Sequence, residues 1–68
     1  MAKYTIDFDD EFDKTLSDLK DSTDATTKAD VIRRAVASYK FLKSQTAADK
    51  EVAITDKSGK VEKSVVLP

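Results

Sequence analysis

Three polar side chains near the start of the chain are spaced two residues apart: Lys3, Thr5 and Asp7. Since successive side chains of a strand point to opposite faces, this spacing places all three on one face. Lysine can donate to guanine, threonine can bond a base or touch a thymine methyl, and aspartate can accept from cytosine. These residues are candidates for reading base edges. The alternative interpretation is a solvated outer strand face, which the phosphate-repelling charge of Asp7 favours at that position.

A second set of polar and basic residues lies in the middle of the chain: Thr26, Thr27, Lys28, Arg33 and Arg34. The free N–H groups at the start of a helix capped by Thr26 or Thr27 can hold a phosphate, and Lys28 could assist. An ordinary N-cap needs no ligand, so the spacing leaves both interpretations open. Arg33 and Arg34 could add phosphate contacts, but we favour their pairing with the acidic first helix.

The residues that alternate with the first polar set are apolar: Tyr4, Ile6 and Phe8. Alternation over residues 3–8 predicts a half-buried strand. Because the two segments that follow are helical in pattern, this strand has no partner beside it in its own chain. Its unpaired N–H and C=O groups require another strand edge, and the simplest one is the same strand of a second copy. The pattern therefore predicts an intermolecular two-stranded antiparallel ribbon.

Two amphipathic helices are predicted after this strand. The first begins behind an N-cap at Asp9 and runs for about three turns. Its apolar stripe consists of Phe12, Leu16 and Leu19. The second runs from Lys28 to about Ala48 without glycine or proline, and Asp30 is placed to form a capping box with Thr27. Its broad apolar face includes Ile32, Val36 and Tyr39.

The tail after the second helix has the pattern of a β-hairpin. Two runs that contain β-branched residues, 52–55 and 60–67, flank the polar segment 56–59, which ends in Gly59, the single glycine of the chain. A glycine there suits the positive φ that hairpin turns often need. Phe41 lies on the far side of the second helix from Ile32, which predicts a second buried surface that the tail could supply.

Composition limits both stability and chemistry. With 68 residues the chain forms one domain at most, and a core of that size commonly needs disulfides, a metal or oligomerisation. The absence of cysteine removes disulfides, and the absence of histidine removes the usual general base and the commonest metal ligand. We therefore expect a homodimer that is not an enzyme and that needs no cofactor or metal.

Charge is distributed unevenly along the chain. Residues 1–24 hold eight acids against three lysines, whereas residues 25–48 hold five cations against one acid. This split is compatible with phosphate binding at one surface and repulsion at another. There is no apolar run of membrane-spanning length and no signal-peptide pattern, so we expect a cytoplasmic protein that binds no membrane.

Residues 3–42 resemble the ribbon-helix-helix family of small dimeric DNA-binding proteins, which includes transcriptional repressors and antitoxins. The ribbon pattern of residues 4–8, the helix start at 9–12 and the segment Thr27–Val36 carry the resemblance. It implies a mainly α fold with some β structure, in which an intermolecular ribbon and four helices form an intertwined homodimer on residues 1–48. Residues 49–68 would be a C-terminal hairpin extension. The implied dimer core comprises Tyr4, Ile6, Phe8, Phe12, Leu16, Leu19, Ile32, Val36 and Tyr39.

The same resemblance implies that the ribbon enters the major groove of double-stranded DNA. Lys3, Thr5 and Asp7 match the family's base-reading positions, and Thr27 with Lys28 matches its phosphate anchor. We expect a sequence-specific transcriptional regulator. The alternative is a protein-interaction module or an antitoxin in which residues 49–68 bind a protein partner. Two departures from the family are the acidic end of the ribbon and the presence of Asp24-Ala25 where a glycine is frequent.

Overall fold

A computed structural model describes residues 2–68, which form two helices followed by two strands. Helix α1 covers Asp10–Ser22 and helix α2 covers Lys28–Ala47. Strands β1 (Val52–Thr55) and β2 (Val61–Val65) make an antiparallel pair. The predicted helices and hairpin are confirmed, with α2 ending one residue before the expected Ala48. The described chain is therefore a small mixed structure of helix and antiparallel sheet.

Helix α1 begins as its sequence predicts. The Asp9 carboxylate accepts a hydrogen bond from the Phe12 N–H at 2.7 Å, which satisfies one of the free donors of the first turn. The Phe8 ring stacks on the Phe12 ring with centroids 4.6 Å apart, so an apolar contact accompanies the cap. This pairing fixes how the N-terminal segment enters the helix.

Both helices end in the same way, with an aspartate in the left-handed region. Asp24 has φ +55° and Asp49 has φ +62°. After α1 the Ala25 N–H donates to the Lys20 carbonyl at 3.1 Å, and after α2 the Lys50 N–H donates to the carbonyl five residues back at the same distance. Such bonds close a helix C-terminus where glycine is the usual residue. The glycine missing between the helices is thus replaced by Asp24.

Chain contacts divide the molecule into two compact units, one ending at Arg34 and the other running from Ala35 to Pro68. The first contains every buried residue in the described part of the chain: Leu16, Ala25 and Val31. Ile32 packs against this cluster from the next position of α2. This core joins the two helices across their connecting turn, and it is small for a chain of this length.

The second unit contains most of α2 and the hairpin. Val52 pairs with Val65 and Ile54 with Lys63, and the register shifts between Ile54 and Thr55. Gly59 has φ +91° in the turn, as its position predicted. The Tyr39 hydroxyl donates to the main-chain oxygen of Pro68 at 2.7 Å, which ties the tail to α2.

The prediction that the tail covers Phe41 is wrong, because that side chain is 62% exposed. Helical geometry supplies the reason. The tail is bonded to Tyr39, and two residues along a helix turn the side chain by about 200°, almost to the opposite side. Phe41 therefore points away from the segment that was expected to cover it.

Candidate nucleic-acid interface

The start of α2 has the geometry of a capped helix. The Thr27 side-chain oxygen accepts a hydrogen bond from the Asp30 N–H at 3.0 Å, so Thr27 and not Thr26 is the N-cap. Asp30 does not complete the capping box, since its carboxylate pairs with Arg34. The first N–H groups of the helix, at Lys28 and Ala29, have no helical carbonyl before them. They remain available to an anion.

Lys28 has a partner in the first helix. Its Nζ lies 2.7 Å from Oδ1 of Asp13, and both side chains are about half exposed, at 45% and 51%. Asp13 belongs to the first turn of α1, where an acid is favoured by the helix dipole. The expected phosphate anchor is thus held in place by a carboxylate on the neighbouring helix.

Arg34 is occupied by two contacts within the first unit. Its Nη1 donates to the Thr23 carbonyl at 3.1 Å, and its Nη2 lies 3.0 Å from Oδ2 of Asp30. The interpretation that Arg34 pairs with an acid of the first helix is wrong, because an i,i+4 partner is nearer on its own helix. Arg34 instead links the end of α1 to α2. Arg33 is exposed.

The base-reading candidates lie in residues 2–9, before α1. In the described chain these residues form neither helix nor strand. Lys3, Thr5 and Asp7 are all exposed. The ribbon that would align them requires a second chain, so it remains a prediction.

The residues assigned to the dimer core divide into two groups. Leu16 is buried and Ile32 half-buried within the single chain. The remaining members are exposed, from 40% for Phe8 to 85% for Tyr4. These exposed members are Tyr4, Ile6, Phe8, Phe12, Leu19, Val36 and Tyr39. A single chain therefore leaves seven of the nine assigned side chains exposed.

The structure brings Lys28, Asp13 and the capped start of α2 together, whereas Lys3, Thr5 and Asp7 belong to a separate segment. Sequence reasoning missed Asp13 and the Thr23 carbonyl as partners of the basic residues. The only available signal for Asp13 was its place in the first turn of α1, which makes it one of several equivalent acids.

Two further kinds of site are absent from the described residues, namely metal clusters and membrane-spanning helices. Within residues 2–68 no cluster of three or more acidic side chains could hold a metal ion. Neither of the two described helices has the length and apolar character needed to cross a membrane. In comparisons with protein families, curated proteins and solved structures, the chain shows no significant match.

Proposed function

We propose that this chain is a sequence-specific DNA-binding transcriptional regulator of the ribbon-helix-helix type, acting in the cytoplasm as a homodimer. The observation that supports this most strongly is the exposure of Ile6, Val36 and Tyr39 in a chain whose described residues include only three buried ones. Each is an apolar position that a ribbon-helix-helix dimer would bury. No cofactor or metal is needed.

Burial energetics favour such a dimer. Covering a side chain the size of isoleucine or valine contributes about 1.5–3 kcal/mol. Ile6 is 62% exposed and Val36 is 61% exposed, so most of that contribution is still available to an interface. Because two copies contribute the same residues, a two-fold interface doubles each gain. The ribbon also pairs the main-chain groups of residues 3–8 that a single chain leaves without a strand partner.

In the proposed complex, the two ribbon strands lie in the major groove and present six polar side chains. Lys3 and Thr5 read bases, and Asp7 accepts from cytosine where the sequence allows it. The start of α2 contacts the sugar-phosphate backbone through the N–H groups at 28 and 29 and through Lys28. Arg33 adds a further cation, while Arg34 keeps its structural contacts.

Acidic residues that follow the ribbon lower the affinity of this binding. Asp9, Asp10 and Glu11 follow the reading segment directly. Their charges oppose phosphate and lower the sequence-independent part of the affinity. Specific base contacts then account for a larger share of the total affinity.

The test is a sedimentation measurement of the full chain, alone and with mixed genomic duplex fragments at low salt. We expect a species of twice the chain's 7.5 kDa that moves onto DNA and releases as salt rises. Lys3→Ala and Thr5→Ala should lose site preference while the dimer persists. A dimer that ignores DNA at low salt would refute the proposal.

The second candidate function is a protein-interaction module or an antitoxin, and the exposure of Phe41 favours it. This ring is 62% exposed in the same unit as the ordered hairpin. An aromatic anchor of this kind is frequent at protein interfaces. Under this alternative, Phe41→Glu would abolish partner capture and leave DNA binding unchanged.

A further inference from the structure

The two free edges of the hairpin differ in their protection. Strand β2 carries Glu62 and Lys63, and the register shift opposite Thr55 falls in it. Charges and bulges are the devices that keep an edge from pairing with another chain. Strand β1, Val52–Thr55, has no charge, no proline and no glycine, and its outer edge has no strand neighbour in the described chain. It is the unprotected edge of the sheet.

We propose that the β1 edge pairs antiparallel with the β1 edge of a second copy, with Ala53 opposite Ala53. The resulting sheet has four strands in the order β2, β1, β1 and β2. This interface is separate from the ribbon, and it does not rest on DNA binding.

The charges that flank β1 select this register. With Ala53 opposite itself, Lys50 of each copy lies opposite Asp56 of the other, and Glu51 lies opposite the neutral Thr55. A shift of one residue toward the turn instead places Lys50 opposite Lys57 and Glu51 opposite Asp56. Like charges directly opposite each other are destabilising, so that register is disfavoured.

A parallel arrangement fails for the same reason. In register, it would stack Lys50 on Lys50 and Glu51 on Glu51 of the other copy. Among these three arrangements, the antiparallel register centred on Ala53 is the one with opposite charges at its flanks, and a second copy is the occupant that fits it.

Asp56 is suited to this role because it is already oriented. Its Oδ1 accepts hydrogen bonds from the Ser58 N–H and hydroxyl and from the Lys60 N–H, at 2.9, 2.6 and 3.0 Å. All three bonds go to one oxygen, and they hold the carboxylate at the end of β1. A cation from the opposite copy would meet a fixed charge rather than a mobile one.

The apolar side chains also match in this register. Val52 of one copy lies opposite Ile54 of the other. The two-fold axis repeats this pair, so the interface contains two of them. Ile54 is 44% exposed within one chain, and Val52 already pairs with Val65. Pairs of β-branched residues across strands contribute roughly 0.2–1 kcal/mol each. Each of the two symmetry-related rows is apolar over three strands, with Val65, Val52 and Ile54 of the other copy, and ends at Lys63 of that copy.

The interface is isologous, and its small size indicates weak association. Where the ribbon also forms a dimer, the two interfaces together join dimers into larger assemblies. Where the ribbon does not form, the hairpin edges alone give a dimer. The two interfaces can therefore be tested separately.

The experiment uses sedimentation of the full chain from micromolar to millimolar concentration. Ala53 is exposed, so Ala53→Lys adds a charge to the edge without filling a core, and the two-fold axis sets the two lysines against each other. We expect Ala53→Lys and Ala53→Glu each to abolish the increase in mass between micromolar and millimolar concentration. An equimolar mixture of the two variants should restore it, since lysine then faces glutamate.

Ser64→Lys is the matched control. Ser64 lies in β2, where it pairs with Ala53 across the hairpin, so it is one strand away from the β1 edge. It should associate like the unchanged chain. Amide NMR shifts of Gly59 and Lys60 show whether each variant keeps the hairpin. The same series in an Ile6→Lys background separates the hairpin edge from the ribbon.

Three outcomes would overturn the proposal. The first is no mass increase up to millimolar concentration in the unchanged chain. The second is association in the Ile6→Lys background that survives Ala53→Lys with the hairpin intact. The third is failure of the lysine and glutamate variants to associate when mixed. None of these depends on whether the chain binds DNA.

Discussion

The Nζ of Lys28 lies 2.7 Å from Oδ1 of Asp13, so the cation at the start of α2 is balanced by an acid at the start of α1. Since both side chains are about half exposed, such a pair contributes at most about 1 kcal/mol. A backbone phosphate placed at the N-terminus of α2 carries one negative charge, as the carboxylate does, and it would also accept hydrogen bonds from the free N–H groups there. Asp13 thus competes with the proposed ligand for the same lysine.

The first prediction is that Asp13→Asn tightens DNA binding several-fold for all sequences alike. The change frees Lys28 and removes a negative charge near the phosphate. Lys28→Ala should weaken all sequences alike and reduce the slope of log affinity against log salt by about one. Fluorescence anisotropy titrations of specific and unrelated duplexes at several salt concentrations measure both effects.

Asp18→Asn is the control, since it removes the same charge from an exposed position of α1. It should give a smaller gain than Asp13→Asn. Equal gains from the two variants would mean that net charge, and not the contact with Lys28, governs binding.

A second prediction concerns the ribbon. Ile6→Lys places a charge beneath the proposed two-stranded ribbon, where it would lie in the dimer core. Because an unpaired charge cannot be buried without a large cost, we expect this variant to lose the ribbon dimer. Sedimentation measures the loss at micromolar concentration, where the weak hairpin contact does not contribute.

Thr5→Lys adds the same charge one residue earlier, on the outer face of the strand, and should leave the dimer intact. If Ile6→Lys remains a dimer, or if both variants dissociate equally, the alternation of residues 3–8 does not describe a ribbon.

The elements set by local chemistry were predictable from sequence. Asp9 caps α1, Thr27 caps α2 and Gly59 takes the positive φ of the hairpin turn, because each of these bonds or angles is satisfied within a few residues. The Asp13–Lys28 contact was not predictable. It joins residues fifteen positions apart, and several acids of α1 are equivalent to Asp13 in sequence.

Exposure of Phe41 shows a second limit. Its place opposite Ile32 predicted a second buried surface, but the ring is 62% exposed, and the sequence could not show that the tail bonds to Tyr39 instead. The candidate base-reading residues have the same limitation, since their arrangement depends on a second chain.

A third prediction follows from the left-handed conformation of Asp24. Glycine adopts φ +55° without strain, so Asp24→Gly should raise the free energy of unfolding by up to about 1 kcal/mol. Asp21→Gly removes the same charge from the same end of α1 but at a helical position, where glycine costs about 1 kcal/mol. Thermal unfolding followed by circular dichroism should therefore shift in opposite directions for the two variants. Shifts in the same direction would contradict the role of the backbone angle.

A fourth prediction concerns the pH dependence of the hairpin turn. Hydrogen bonds from the Ser58 hydroxyl, and then from the Lys60 N–H, lower the pKa of Asp56 below its ordinary value of 3.8. A group with a lowered folded pKa stabilises the fold above the unfolded pKa and loses that contribution as pH falls through the folded one. The turn should therefore be fully ordered at neutral pH and should loosen only below pH 3.8.

Amide shifts of Ser58 and Lys60 measure this transition directly, because both N–H groups donate to the Asp56 carboxylate. Asp56→Asn keeps an acceptor oxygen but has no charge to titrate, so its amide shifts should lack the acidic transition. Asp56→Ala removes the acceptor and should loosen the turn at every pH. Ser58→Ala removes the strongest cause of the lowered pKa and should move the transition to higher pH. An unchanged transition in Ser58→Ala would show that the main-chain donors alone hold the carboxylate in its ionised form.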